Sequence, residues 1–436
     1  MGVWMGGDLS RPLVFVTALL LAIALGGVVA PVATANSLEL EARYEVDARL
    51  AFRAGTLSAT TSVRVTNRTG KAVGRLTFNL ATLAVAGVTL TEVTQGGRPL
   101  IHSIDDQTIT VTLPTVLATG KSTTVRIGYG GVLRTDTVDK NWYFSKVGGI
   151  VTAYRWIPWL SRQTAFARPN FGTPLVTATS PSVKVRIRTD RALQLATSGR
   201  RTVATRLSHT FVATNVRDFN FSASPHYAVT TGRAGAIQVR VLSIRQPGNV
   251  MLEWATLALT RYGELVGPYP YAYFTVAEAP KGASMESPAL AWVGQHVKPE
   301  HLPLVVAHET AHQWFYGVVG TDQADEPFAD EAPTDFLARY LVGKRRASRC
   351  GLARLDLTVY DYVGRCYYEV IYIQGGNYLD DYRTRVGDER FWIGLRNYYR
   401  SHRFKLGGTR QLLDALDRAA GPDGGGHAGR FPRYYE

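Results

Sequence analysis

At 436 residues, 45% of them hydrophobic, the chain is long enough for two or three domains, each with its own core. The formal charge of +14 raises the question of a nucleic-acid partner. The basic residues, however, are mostly Arg scattered through the first half, with Lys344-Arg345-Arg346 a short run and no nucleic-acid motif beside it. The pattern favours a solvated basic surface over a nucleic-acid partner, so no nucleic acid is expected, and such a surface suits loose association with anionic cell-surface polymers.

The chain opens with Arg11, an apolar run from Leu13 to Ala30, and Ala33-Thr34-Ala35. A charged n-region, an h-region and an A-x-A-like site predict a signal peptide over 1–35, with a retained membrane anchor as the alternative. No later segment approaches ~20 continuous apolar residues, so the mature protein is expected to be soluble and to work outside the cytoplasm. Residues 36–231 alternate in short Val/Thr/Ile runs such as SATTSVRVTN, TITVTL and SVKVRIRT, separated by turns such as Asn67-Arg68-Thr69-Gly70. That period of two predicts an antiparallel, all-β domain. Near Gly232-Arg233-Ala234-Gly235 the pattern changes, and a helical period begins with VMLEWATLALTRYGELVG. A second domain is therefore placed over 232–436. Its glycine-rich stretch GPDGGGHAG reads as a flexible segment in which His427 is solvated.

Within that second domain, residues 308–312 read His-Glu-Thr-Ala-His. On an α-helix His308 and His312 stand one turn apart on one face, where two imidazoles can bind a Zn²⁺ while Glu309 takes a proton from water. The apolar run Pro303 to Ala307 leads into this helix, and Gly317 is expected to end it. A catalytic zinc takes three protein ligands, and eighteen residues separate His312 from Glu331 in the first turn of a helix predicted from about Asp330. From spacing alone, a carboxylate favoured by the helix dipole is an equal reading of Glu331. Cys350 and Cys366 have no partner at zinc-finger spacing, so a disulfide is expected in an oxidising compartment.

The stretch HETAHQWFYGVVGTDQADEPFADEA resembles the M1 family of zinc aminopeptidases (gluzincins), in the secreted bacterial form that lacks a helical C-terminal domain. GPYPYAYFTVAEAP and GASMESPAL are similar to the family's strand and exopeptidase motif, and Tyr372-Ile373-Gln374-Gly375 to the segment that carries its catalytic tyrosine. The resemblance implies an α+β chain: an antiparallel β domain followed by a thermolysin-like zincin domain. It implies one Zn²⁺ per chain held by His308, His312 and Glu331, with Glu309 as general base. Glu286, beside Met285 and Ala283, would hold the free α-amino group of a peptide substrate. Tyr372 would donate to the oxyanion, a role for which Tyr367, Tyr368 and Tyr378 are neighbouring candidates. The implied function is removal of N-terminal residues from peptides, the alternatives being a zinc endopeptidase or a non-catalytic cell-surface binding protein. Five positions depart from the family pattern: Ser287 in place of Asn, Ala332-Pro333 in place of Gly and an aromatic, Ala338 in place of an acidic residue, and Gln374 in place of Lys. Changes in the shell around a metal can cost ~10–100-fold in affinity or activity.

Overall fold

The computed structural model describes residues 39–160, 178–281, 284–362, 364 and 366–424, and among these a run of strands leads into six α-helices, with three further strands between the first helix and the second. The expected signal segment 1–35, Ala283 and His427 lie outside the described residues.

The first strand, Leu40–Ala51, shows why the β pattern forms. Leu40, Ala42, Tyr44, Val46, Ala48 and Leu50 are buried, while Glu41, Arg43, Glu45, Asp47 and Arg49 alternate with them on the other face. It pairs with Thr56–Asn67, which pairs with Ser122–Val132, in an eight-stranded sheet. That sheet is antiparallel except where Leu40–Ala51 runs parallel to Val183–Thr189. Across this pair Asp47 stands opposite Arg186 and forms ion pairs with Arg186 and Arg188, the latter at 2.7 Å. The parallel pairing departs from the purely antiparallel expectation. It requires a long crossover connection, which period-two alternation cannot announce. Two four-stranded sheets complete the strands before residue 228 among the described residues.

A five-stranded sheet carries the chemistry. Its order is Ala228–Ala234, Ile237–Ser243, Tyr273–Ala279, Leu290–Gly294 and, at the edge, Met285–Ser287. The three middle strands are parallel, and Leu290–Gly294 is buried along its whole length, as a strand covered on both faces must be. The boundary placed at 231/232 falls inside the strand Ala228–Ala234, where Gly232 pairs with Val239. Glycine tolerates a strand interior when a side chain crowds it, and a Cβ here would meet Leu252 at 3.1 Å.

The helices are α1 (Gly248–Leu265), α2 (Leu302–Ala311), α3 (Phe328–Val342), α4 (Gly375–Val386), α5 (Asp388–Ser401) and α6 (Thr409–Ala420). They share a core with the five-stranded sheet that runs from Val239 and Met251 to Leu416. A separate core lies among the earlier strands, and reaches Trp292 of the five-stranded sheet. None of the described helices is long and apolar enough to cross a membrane.

Candidate active site

Helix α2 is buried on nearly every side, with Leu302, Val306, Ala307, Thr310 and Ala311 in the core. A helix apolar all round is a core helix, so its His308 and Glu309 are carried into the interior. The helix ends at Ala311, earlier than the Gly317 expected from sequence. Beyond it Trp314 N–H bonds to Ala311 O at 2.9 Å and Gly317 N–H to His312 O at 2.8 Å. The His312 ring itself favours this tight turn, since its Nδ1 donates to Phe315 O at 3.0 Å. His312 nevertheless keeps its place one turn from His308, and the two rings lie 4.9 Å apart.

Helix α3 begins two residues before the expected Asp330, and so brings Glu331 over both imidazoles. Glu331 Oε2 lies 3.4 Å from His308 Nε2 and 3.3 Å from His312 Nε2. One donor atom from each of the three residues falls within 4.8 Å of the others. Glu331 Oε2 is buried and has no hydrogen-bond partner, which is costly unless a cation satisfies it. Two imidazole nitrogens and one carboxylate oxygen are a donor set that suits Zn²⁺ with a fourth position open. The residues therefore fit the metal.

The electrostatics describe the same site. Burial opposes the charge on Glu331, yet His312 first and His308 with it hold its carboxyl well below the usual range. Burial likewise lowers proton affinity at His308 and His312, but the surrounding carboxylates together outweigh it, Glu331 with Glu309 at His308 and Glu331 with Asp330 and Glu286 at His312. This pocket thus gathers positive charge. Burial pushes Glu309 up to about 8, against the pull of His308 and His312.

Several side chains that sequence reading did not single out orient the site. Asp330 Oδ1 accepts from His312 Nδ1 at 3.1 Å, which turns Nε2 towards Glu331. Gln313 uses its amide twice on the turn after the edge strand, donating to Ser287 O at 2.9 Å and accepting from Ala289 N–H at 2.7 Å. It ties α2 to the strand that carries Glu286. Its position next to His312 was the available signal.

On that edge strand Met285 and Glu286 line the cleft, and one atom each of Glu286, Glu309 and His312 lies within 4.8 Å of the others. Ser287, where the family pattern has Asn, is a buried hydrogen-bond hub. It donates to Asp218 Oδ1 at 2.9 Å, accepts from Asn220 Nδ2 at 2.9 Å and contacts Ser198 Oγ at 2.8 Å.

Tyr372 sits in a π-helical turn, Tyr368–Gln374, a form that recurs at functional sites. Its ring stacks on His308 at 5.5 Å and 17°. Burial, then the adjacent Glu331, hold its phenol well above the ordinary range, so it stays a donor. Arg339 of α3 pins the turn by donating to Tyr372 O at 2.8 Å and Ile373 O at 3.2 Å. Gln374 pins the other side, donating to Gly351 O at 2.9 Å and accepting from Ala353 N–H at 3.2 Å. An amide can do both and a Lys cannot, which accounts for this departure. Ala332, another departure, packs against Gly375, where a Cβ would come within 2.8 Å of Ala332 Cβ. Asp335 pairs with Arg339 and, at 3.6 Å, with Arg346. Ala338 is simply buried.

Of the competing tyrosines, Tyr367 and Tyr368 line the cleft, whereas Tyr378 is buried against Phe328. The cleft encloses about 660 Å³ between Met285, Leu304, Val305 and the tyrosines 360, 362, 367, 368 and 372. The Cys350–Cys366 disulfide is present and brackets the segment that supplies Val359, Tyr360 and Tyr362 to this wall.

No family model matches the chain. Among curated proteins it is similar to aminopeptidase N of Lactococcus lactis subsp. lactis, 27% identical over 148 residues. That match takes in 28% of this chain and only 17% of the length of that relative. Solved structures agree over nearly the whole chain. An M1 zinc metallopeptidase from Deinococcus radiodurans superimposes with a TM-score of 0.68 at 18% identity, covering 91% of this chain and 95% of that one. A mutant of the Deinococcus radiodurans enzyme bound to a Tyr-Ser-Ala substrate gives 0.69 at 16% identity, covering 92% and 96%. A two-domain M1 zinc metallopeptidase mutant bound to L-arginine gives 0.67 at 17% identity, covering 91% and 94%. The chain therefore has the α+β fold of the two-domain M1 zinc metallopeptidases.

Proposed function

We propose that this protein is a zinc-dependent aminopeptidase that removes N-terminal residues from peptides outside the cytoplasm. The observation that carries the reading is the cluster itself. His308, His312 and Glu331 bring one donor atom each within 4.8 Å of the others, the Glu331 oxygen being buried without a hydrogen bond, and Glu286 and Glu309 line the same cleft. When bound, Zn²⁺ would polarise the scissile carbonyl and acidify the attacking water.

The residues of the chain do the rest. Glu309 accepts the proton that water loses as its oxygen adds to the carbonyl carbon. The Tyr372 hydroxyl donates to the resulting oxyanion, charge that exists mainly in the transition state. As the C–N bond breaks, Glu309 returns the proton to the leaving nitrogen. Glu286 accepts from the substrate's α-ammonium and so fixes which peptide bond faces Glu309. The likeness to an enzyme crystallised with Tyr-Ser-Ala supports a peptide substrate. The apolar run Leu13 to Ala30 and the A-x-A-like site support the location.

The test compares a peptide with its N-acetylated twin. Acetylation removes the charge that Glu286 would hold, so the free-amine peptide should be cleaved far faster and Glu286→Ala should erase the difference. Equal wild-type rates on the twins would replace this reading with a zinc endopeptidase.

A further inference from the structure

Beside Glu286 runs a polar chain, half-buried at Gln323 where it meets the cleft and buried at Arg155 and Asp330, that the steps above do not use. Gln323, in the loop between α2 and α3, donates through Nε2 to Glu286 Oε1 at 3.0 Å and to Asp330 Oδ2 at 2.6 Å. Its Oε1 accepts from Arg155 Nη2 at 3.2 Å. Arg155 comes from the loop after the strand Ile150–Ala153, with its side chain 4% exposed. It is held there by Tyr316 OH at 3.2 Å, by Asp218 Oδ2 at 3.8 Å, and through its own N–H by Asn220 Oδ1 at 2.6 Å.

This arrangement fixes the orientation of the amide. A guanidinium only donates, so the Gln323 oxygen must face Arg155 and the NH₂ group must face the carboxylates. That NH₂ has two hydrogens and meets two carboxylates from different elements. One belongs to Glu286 on the edge strand. The other belongs to Asp330 on α3, whose second oxygen holds His312.

We infer that Gln323, oriented by Arg155, is a positioning residue that sets the Glu286 carboxylate for the substrate's α-ammonium and ties it to the histidine side of the metal site. The inference rests on Glu286 being the amine anchor. Occupying Oε1 leaves Oε2 for the incoming ammonium and limits the carboxylate to one orientation. An amide suits the task better than a cation in the same place. Arg155 in direct contact with Glu286 would neutralise it and compete with the substrate, whereas a neutral amide passes on orientation and leaves the negative charge available. The same contact keeps two carboxylates at a set separation without a proton or cation between them.

The experiment uses Gln323→Met, which keeps length but loses both donors, with Gln323→Glu as a second variant in case the first folds poorly. Zinc content, thermal denaturation, and kcat and KM on an aminoacyl-arylamide would be measured, together with the ratio of rates on a free-amine peptide and its N-acetylated twin. Loss of a hydrogen bond to a charged group predicts a fall of about 10–100-fold in that ratio. The change should appear mainly in KM, with one zinc per chain retained because Asp330 and Phe315 O still hold His312. In a Glu286→Ala background the same substitution should leave the ratio unchanged, since its effect passes through Glu286. A Gln323→Met or Gln323→Glu enzyme that discriminates as well as wild type overturns the inference, as does an effect that adds fully to that of Glu286→Ala. A merely structural role would lower thermal stability and depress both substrates alike. Absence of discrimination in wild type sinks the aminopeptidase reading itself, so the two failures are distinguishable.

Discussion

Replacing Tyr372 by Phe removes one oxygen from a side chain whose other contacts can all survive. The ring stacks on His308 at 5.5 Å and meets Tyr368 at 4.7 Å and Tyr367 at 5.9 Å, contacts a phenyl ring can keep. The pins on its turn, from Arg339 and Gln374, reach backbone atoms at 2.8 to 3.2 Å and do not involve the hydroxyl. The hydroxyl faces the buried Glu331 and stays protonated. Its loss should therefore fall on the transition state. Losing one preorganised oxyanion donor costs about 2.7–4 kcal/mol, or ~10²–10³ in kcat. Zinc content should stay near one per chain, KM should change little, and thermal stability should move by no more than ~1 kcal/mol. Steady-state kinetics on an aminoacyl-arylamide, with metal analysis of the same preparation, reads all of these. Tyr367→Phe and Tyr368→Phe are the controls, because both line the cleft. A near-wild-type Tyr372→Phe beside a crippled Tyr367→Phe or Tyr368→Phe would show that the oxyanion donor is misassigned.

Glu331→Ala should lose zinc and activity together, while Glu309→Gln should keep zinc and lose most turnover; retention of both in Glu331→Ala would refute the third ligand. Proton affinity is raised at His308 and His312 in the metal-free site, so zinc uptake should release protons and weaken as pH falls; calorimetry in buffers of different ionisation enthalpy measures this, and zinc binding without proton release contradicts it. Glu309 must be ionised to act, so kcat/KM should be lost as pH falls through its pKa. That value is about 8 without metal and is pulled lower by an adjacent cation; an acid limb centred above 8 in the zinc-loaded enzyme would exclude Glu309 as the base. Gly375→Ala places a methyl against Ala332 and should cost about 1–3 kcal/mol in thermal denaturation, with wild-type stability showing that α3 and α4 can part freely.

Local periodicity was enough for part of this protein. Alternation from Leu40 to Leu50 specifies a strand with one buried face, because successive side chains point to opposite sides. The i, i+4 spacing of His308 and His312 puts both on one helix face whatever surrounds them, and His312 keeps that place even as the helix ends. Glu331 was legible through the length of the gap, but spacing could not separate a ligand from a helix-start carboxylate. In the folded chain its carboxylate lies 3.4 Å from His308 Nε2 and 3.3 Å from His312 Nε2, a placement that spacing does not give.

What depended on distant segments could not be read in advance. The parallel register of Leu40–Ala51 on Val183–Thr189 joins strands far apart in sequence. The π-helical turn at Tyr372 has its carbonyls at Tyr372 and Ile373 held by the guanidinium of Arg339, which donates from another helix. Gln323 looks like an ordinary loop residue until Arg155, Glu286 and Asp330 close around it from three separate elements. A hydrogen bond extends only about 3 Å and carries no periodicity along the chain. The residues that aim the ligands are therefore set by which elements pack together, and only the folded protein brings those elements together.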